Sequence, residues 1–302
     1  MPATASQAKA KRINRAIELL ESDQALYYDG PHTGHVLTYA QGREDAHIWS
    51  DYINVGMEHG AFDLTGLEAY MRGMVDGGPT SSGHRTPTVI VEAPVNGIDG
   101  QYVAFNAWQF RQILARGVHG ILLCQAESAD AVREFVRACR YPHNKLGADK
   151  VGLGSRGRGS EPTAAPIWGI DQQEYFSRCE PWPLNPDGEL LLGVKIESPP
   201  GVAHCEEILA VPGLGFAELG PADLGLSLLG LTAVPRRPYP PEMEKARTRI
   251  FAACQKNKLA FLEGATPENI TQRLDEGVRV ISGHNPEAAK IGRAHQKRQM
   301  PV

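Results

Sequence analysis

Residues 190–227 read LLLGVKIESPPGVAHCEEILAVPGLGFAELGPADLGLS, and their pattern decides the architecture. The apolar run LLLGVKIE (190–197) gives way to VAHCEEILAV, whose apolar residues recur at the three- and four-residue spacing of an amphipathic helix. A second apolar run, GFAELG (215–220), follows at once. A strand, a helix and a strand in this order make the repeating unit of a parallel sheet. Glu197 and Asp223 each stand just past one of the two runs.

The alternation extends along the chain. Strands are predicted at HVLTYA (35–40), DYINVGM (51–57), TVIVEAP (88–94), GILLCQA (120–126), LAFLEG (259–264) and VRVISG (278–283), besides the two above. Helical patterns such as FDLTGLEAYMRGMVD, AWQFRQILARG and TPENITQRLDEG separate them. Eight strands and 302 residues suit a single-domain (β/α)8 TIM barrel. The expected parts are an N-terminal helical segment (1–30), a long loop insertion (142–188) over the active-site face after strand four, and a C-terminal helix and arm (285–302). A doubly wound open sheet is the competing fold. It calls for a glycine-rich turn after the first strand, which DGPHTGH does not supply. GLGSRGRGS (152–160) fits GxGxxG only loosely and follows no clear strand.

The bulk numbers narrow the function classes. Hydrophobic residues make up 42% and charged residues 22%, enough for a substantial core. A net charge of -4 gives no electrostatic case for nucleic acid or an anionic membrane. Five scattered cysteines without CxxC spacing read as reduced thiols. The N-terminus lacks the apolar core of a signal peptide, and no run is long enough to span a membrane. A cytoplasmic protein is the expectation.

In a barrel, Glu197 and Asp223 end neighbouring strands on the C-terminal rim. Two close carboxylates repel unless a proton or a cation lies between them, and hard oxygen donors suit Mg²⁺ or Mn²⁺. An acid capping the next helix, PADLGLS, is the other reading of Asp223.

Four segments, IES…GVAHCEEILAVPG…GPADLGLS, NVGMEHGAFDLTGL, GILLCQAESADAVREFVRACRYP and FLEGATPENITQRLDEGVRVIS, together resemble the HpcH/HpaI family of metal-dependent pyruvate aldolases. The resemblance runs from about residue 50 to 290. It implies a barrel with a divalent metal on Glu197 and Asp223 (Mg²⁺ or Mn²⁺, with Co²⁺ a further candidate) and a homo-oligomer, hexamer or trimer. It also implies reversible aldol cleavage of 4-hydroxy-2-keto acids into a keto acid and an aldehyde through a pyruvate-type enolate. By the same resemblance His59 is the acid/base, and the turn Gly220, Pro221, Ala222 contacts substrate.

The chain departs from that pattern in several places. The family Asp three residues before His59 is Gly56, and the family Arg in the third strand is Glu92. Lys195 stands where Gln is frequent, and Glu218 where an apolar residue is usual. Glu92 and Lys195 are therefore expected in the catalytic site, paired across the barrel mouth. Arg156 and Arg158 are candidates to replace the lost guanidinium at the substrate. Trp168, Tyr175 and Trp182 are candidate pocket walls, and Glu263 and His284 close the last two strands. These departures leave open a different enolate reaction (decarboxylation, hydration or hydrolysis) or a silent keto-acid-binding barrel.

Overall fold

A computed structural model describes residues 10–302. Eight parallel strands form a closed barrel: β1 (Leu26–Asp29), β2 (Tyr52–Gly56), β3 (Thr88–Asn96), β4 (Gly120–Cys124), β5 (Leu190–Ile196), β6 (Phe216–Leu219), β7 (Ala260–Gly264) and β8 (Val280–Ser282). Each pairs with the next in chain order, and β8 returns to β1 through Val280 opposite Leu26. Helices connect the strands and cover the outside, as a right-handed parallel topology requires.

Seven strands fall where the apolar runs predict them. The first does not. HVLTYA forms no strand: the Thr38 side chain accepts from the Gln41 amide and starts a helix at Tyr39–Asp45. The true first strand is LYYD, inside the stretch expected to be helical, where the helix covers only Arg15–Glu21. Residues 1–9 lie outside the described residues.

Side-chain alternation divides each strand between two cores. Val89, Val91, Leu192, Val194 and Ala217 face the helices, whereas Ile90, Leu122, Leu191, Phe216, Leu262 and Val280 fill the lumen. Gly193 leaves the room for the Phe216 ring, since a Cβ there would come within 2.3 Å of it. The helix Arg15–Glu21 caps the lumen at its N-terminal end with Ala16, Ile17 and Leu19, all buried. Each such large aliphatic side chain contributes roughly 1.5–3 kcal/mol by leaving water.

That end is tied by one carboxylate. Asp51, immediately before β2, accepts from Arg15 (3.1 Å), Arg293 (3.3 Å) and Arg298 (2.8 Å) and from the Tyr27 amide (3.0 Å). It thus fastens the first helix, the first strand and the C-terminal tail together.

The 142–188 segment is not the expected loop over the active-site face. It contains helices Ala148–Val151, Glu161–Trp168 and Gln172–Arg178, and Pro181–Trp182 pair with Leu190–Leu191 at the start of β5. The reason is topological: the helix Ala129–Cys139 has already carried the chain back from the end of β4 before residue 142. Trp168 Nε1 donates to the Gly117 carbonyl (2.9 Å) and Thr163 Oγ1 to that of Ala115 (2.7 Å), just ahead of β4. The segment therefore packs at the N-terminal end of the barrel.

No helix among the described residues is long and apolar enough to cross a membrane, and all five cysteines are free and buried.

Burial alone would push the Asp51 carboxyl up, but Arg298, Arg15 and Arg293 hold it below the usual carboxylate value. Its stabilisation is fully present above about pH 4, the unfolded value, and is lost as pH falls through the lower folded value. Asp51→Ala leaves three guanidinium groups without their shared partner and is expected to cost about 3–5 kcal/mol. Urea denaturation at pH 7 measures that cost; a change under 1 kcal/mol would refute the clamp.

Candidate metal centre and active site

The lumen changes character toward the C-terminal end of the strands. Period-two alternation that turns Leu191 and Gly193 inward also turns Lys195 and Glu197 inward; Ile90 leads likewise to Glu92, and Phe216 to Glu218. Lys195 lies opposite Glu218 in the register, and all four charged residues are buried. The ammonium of Lys195 donates to Glu58 Oε2 at 2.7 Å and lies 3.6 Å from Glu92 Oε1. Glu92 has a closer partner in His32, whose Nδ1 is 2.6 Å from the same oxygen. The expected Glu92–Lys195 contact is thus the longer arm of a relay that also takes in His32 and Glu58.

Four carboxylates, Glu58, Glu92, Glu197 and Glu218, face one ammonium and one imidazole. The imbalance shows in the titration of the acids. Burial pushes Glu197 up to about 8, against the pull of Lys195 and with Glu58 adding repulsion. Burial likewise raises Glu218 to about 7. Glu92 goes the other way: burial raises it, but His32 and Lys195 together bring it below its ordinary value. The Glu92 hydrogen bond in turn raises His32. Burial raises Tyr28 and Cys124 well above their ordinary values, so both keep their protons.

Two sets of ligating atoms converge within 4.8 Å: Glu58, His59 and Asp223, and Glu58, Cys124 and Glu197. Glu58 belongs to both, so it stands between the two acids that the sequence pairs directly. Asp223 lies in the first turn of the helix Pro221–Leu229, whose N-cap is Gly220. That helix end favours its negative charge. Gly220 is needed for Glu197, because a Cβ would come within 2.2 Å of Glu197 Oε2. Glu197 Oε1 is fixed by the Gln125 amide at 2.8 Å.

The residues present fit a hard divalent cation. The carboxylates of Glu58, Glu197 and Asp223 are the oxygen donors such ions take, and Glu58 Oε1 is buried without a hydrogen-bond partner. The protonated Cys124 thiol is a poor match for the same ion.

Other candidate residues go elsewhere. Arg156 is buried under Tyr141 and Tyr175 and donates to Ser160, Tyr175 and Cys179, while exposed Arg158 lies over the Phe176 ring. Both belong to the segment at the N-terminal end of the barrel, as do Trp168, Tyr175 and Trp182. Glu263 faces outward from β7 into the guanidinium groups of Arg247 (2.7 Å) and Arg237 (3.2 Å). His284 is exposed beside Asp29. Pro221 lines a cavity of about 550 Å³ with His32 and Glu218, and Ala222 is exposed on the same turn.

Two contributors were not singled out in the sequence. Glu58 sits beside His59 in the quoted NVGMEHG stretch, where its acidity was a usable signal. His32 sits in a Gly-Pro loop with no periodic pattern, and nothing in the sequence links it to Glu92.

Comparison with known proteins agrees with the barrel fold. A family model described as HpcH/HpaI aldolase/citrate lyase matches residues 95–282. A hydroxypyruvate/pyruvate aldolase of Delftia acidovorans is 36% identical over 118 residues, covering 39% of this chain and 38% of that protein. The chain thus spans well under half the length of this curated relative. An HpcH/HpaI aldolase/citrate lyase family protein from Burkholderia cenocepacia superposes with a TM-score of 0.68 at 22% identity, over 93% of this chain and 96% of that one. A citrate lyase beta subunit from M. tuberculosis, complexed with oxaloacetate and magnesium, superposes with a TM-score of 0.51 at 13% identity, over 90% and 97%. At these identities the structural matches speak for the fold.

Proposed function

Because the chain belongs to the HpcH/HpaI aldolase/citrate lyase family, we propose that it is a divalent-metal-dependent carbon–carbon lyase acting on 4-hydroxy-2-keto acids. The observation that carries this reading is that Glu58 joins two clusters of ligating atoms at the C-terminal mouth of the barrel, one with His59 and Asp223 and one with Cys124 and Glu197, where barrel enzymes work. Mg²⁺ or Mn²⁺ held by Glu197, Asp223 and Glu58 would supply a Lewis acid for the keto and carboxylate oxygens of the substrate.

The side chains account for the rest. Lys195 stays an ammonium: burial lowers its proton affinity, but the acidic groups around it, Cys124, Glu218, Glu197 and Glu92, raise it by more. It holds Glu58 toward the mouth and offsets part of the negative charge that would repel a keto acid. His59, half-exposed with Nε2 3.6 Å from Glu58, faces open space above the acids. There it moves the proton at C3 of the keto acid: off the methyl group to form the enolate in condensation, and onto it after cleavage.

Glu92 in place of an arginine favours a second reading, decarboxylation of a keto acid at the same acids. One assay separates the two. With Mg²⁺ or Mn²⁺ and a panel of 4-hydroxy-2-keto acids and oxaloacetate, the lyase releases pyruvate and aldehyde in equal amounts, and EDTA abolishes the release. Carbon dioxide without aldehyde favours decarboxylation. No turnover with either metal removes both readings.

We also infer that the protein self-associates. Tyr102, Phe105 and Trp108, exposed at three-residue spacing on the helix Gly100–Leu114, give it an apolar face. Light scattering is expected to read a multiple of the 32.8 kDa chain mass, and a monomer would contradict this.

A further inference from the structure

Two of the departures from the family pattern, Gly56 and Glu92, meet at one residue. A Cβ on Gly56 would come within 2.1 Å of the His32 carbonyl oxygen, so this glycine admits the backbone of the β1 loop. Glu92, opposite Gly56 in the β2–β3 register, takes the His32 side chain at 2.6 Å. A carboxylate can only accept here, so His32 Nδ1 carries the hydrogen and Nε2 is the ring's working nitrogen. Nε2 has the Tyr28 hydroxyl at 3.4 Å, a long contact. With 45% of its side chain exposed, His32 opens onto the cavity of about 550 Å³.

The wall of that cavity also includes Glu218 and Pro221, the first residue of the helix that carries Asp223. Arg236, Tyr239, Asn269 and Ser282 bring polar groups to a wall that also holds Val234, Pro235 and Leu262. Arg236 is exposed and has no carboxylate within 4.0 Å among the described residues.

We propose that His32, oriented by Glu92, is the acid/base for the aldehyde-derived oxygen, and that the adjoining cavity takes the aldehyde half of the substrate, a small polar aldehyde. This rests on the lyase reading and assigns a proton that His59 does not handle. In condensation, C3 of the enolate attacks the aldehyde carbon and the C3–C4 bond forms. The carbonyl π pair moves to oxygen, which takes the proton from His32 Nε2. In cleavage, neutral His32 removes the C4 hydroxyl proton, the C3–C4 bond breaks, and its electron pair becomes that of the enolate. Glu92 is a positioning residue that touches no reacting atom.

The test compares two reactions of the Mg²⁺-loaded protein. Deuterium exchange into the pyruvate methyl group in D₂O, followed by NMR, needs only the keto-acid half. Condensation of pyruvate with glyceraldehyde or glycolaldehyde needs both halves. His32→Ala is expected to lower condensation about 10²- to 10⁴-fold while exchange stays within about twofold. Condensation within tenfold of the parent, or a parallel fall in both reactions, overturns the assignment. So does a parent that exchanges pyruvate yet condenses with neither aldehyde. A parent that exchanges no pyruvate refutes the lyase reading itself.

Glu92→Gln adds a readout that packing alone would not move. The groups facing His32 are Glu92, Glu218, Lys195 and Tyr28, and Glu92 contributes the most to raising its proton affinity. Condensation uses protonated His32, so its basic limb should move to lower pH in the variant. An unshifted limb overturns the role given to Glu92.

Discussion

The upper half of this barrel depends on one ammonium surrounded by acids. Lys195 reaches Glu58 at 2.7 Å and Glu92 at 3.6 Å and lies opposite Glu218, in a lumen from which water is largely excluded. One cation cannot balance four carboxylates. Burial, with repulsion from the neighbouring acids added, makes Glu197 and Glu218 hold their protons more tightly, up to about 8 and 7. Such a cluster can accept a further positive charge, and under the proposed reading Glu58, shared by the two clusters of ligating atoms, is where a divalent ion would meet the existing network.

The two ends of the barrel divide the work. At the N-terminal end, Ala16, Ile17 and Leu19 close the lumen, and Asp51 gathers three arginines from distant parts of the chain. The 142–188 segment adds its helices to that same end. The C-terminal mouth is thereby left to the loops that carry Glu58, His59 and His32 and to the first turn of the helix that carries Asp223. The arginine that the family resemblance leads one to expect in β3 is replaced by Glu92, yet positive charge reaches it: Lys195 brings it from β5 and His32 from the loop after β1.

Most of the frame was legible because seven strands are apolar runs bounded by turns. The first strand was not, since LYYD is short and HVLTYA looks more strand-like until Thr38 caps a helix. The position of Glu197 and Asp223 at the strand ends was legible from the adjacent apolar runs, whereas Glu58, beside His59, was not singled out. Arg156 misled for a physical reason: a glycine-flanked arginine reads as mobile, but its guanidinium is buried on two tyrosines and a serine. His32 was out of reach because its meaning depends on Glu92, sixty residues away in sequence and 2.6 Å away in space. Pairings of that kind are fixed by register and loop path, which local pattern does not carry.

The central claim, that the carboxylates at the mouth form one cation site, is tested most directly by Mn²⁺ titration followed by electron paramagnetic resonance. The account predicts one bound ion per chain in the parent protein, with Glu197→Gln and Asp223→Asn each weakening it at least tenfold while the fold persists. Binding of equal strength in the parent and both variants would contradict it.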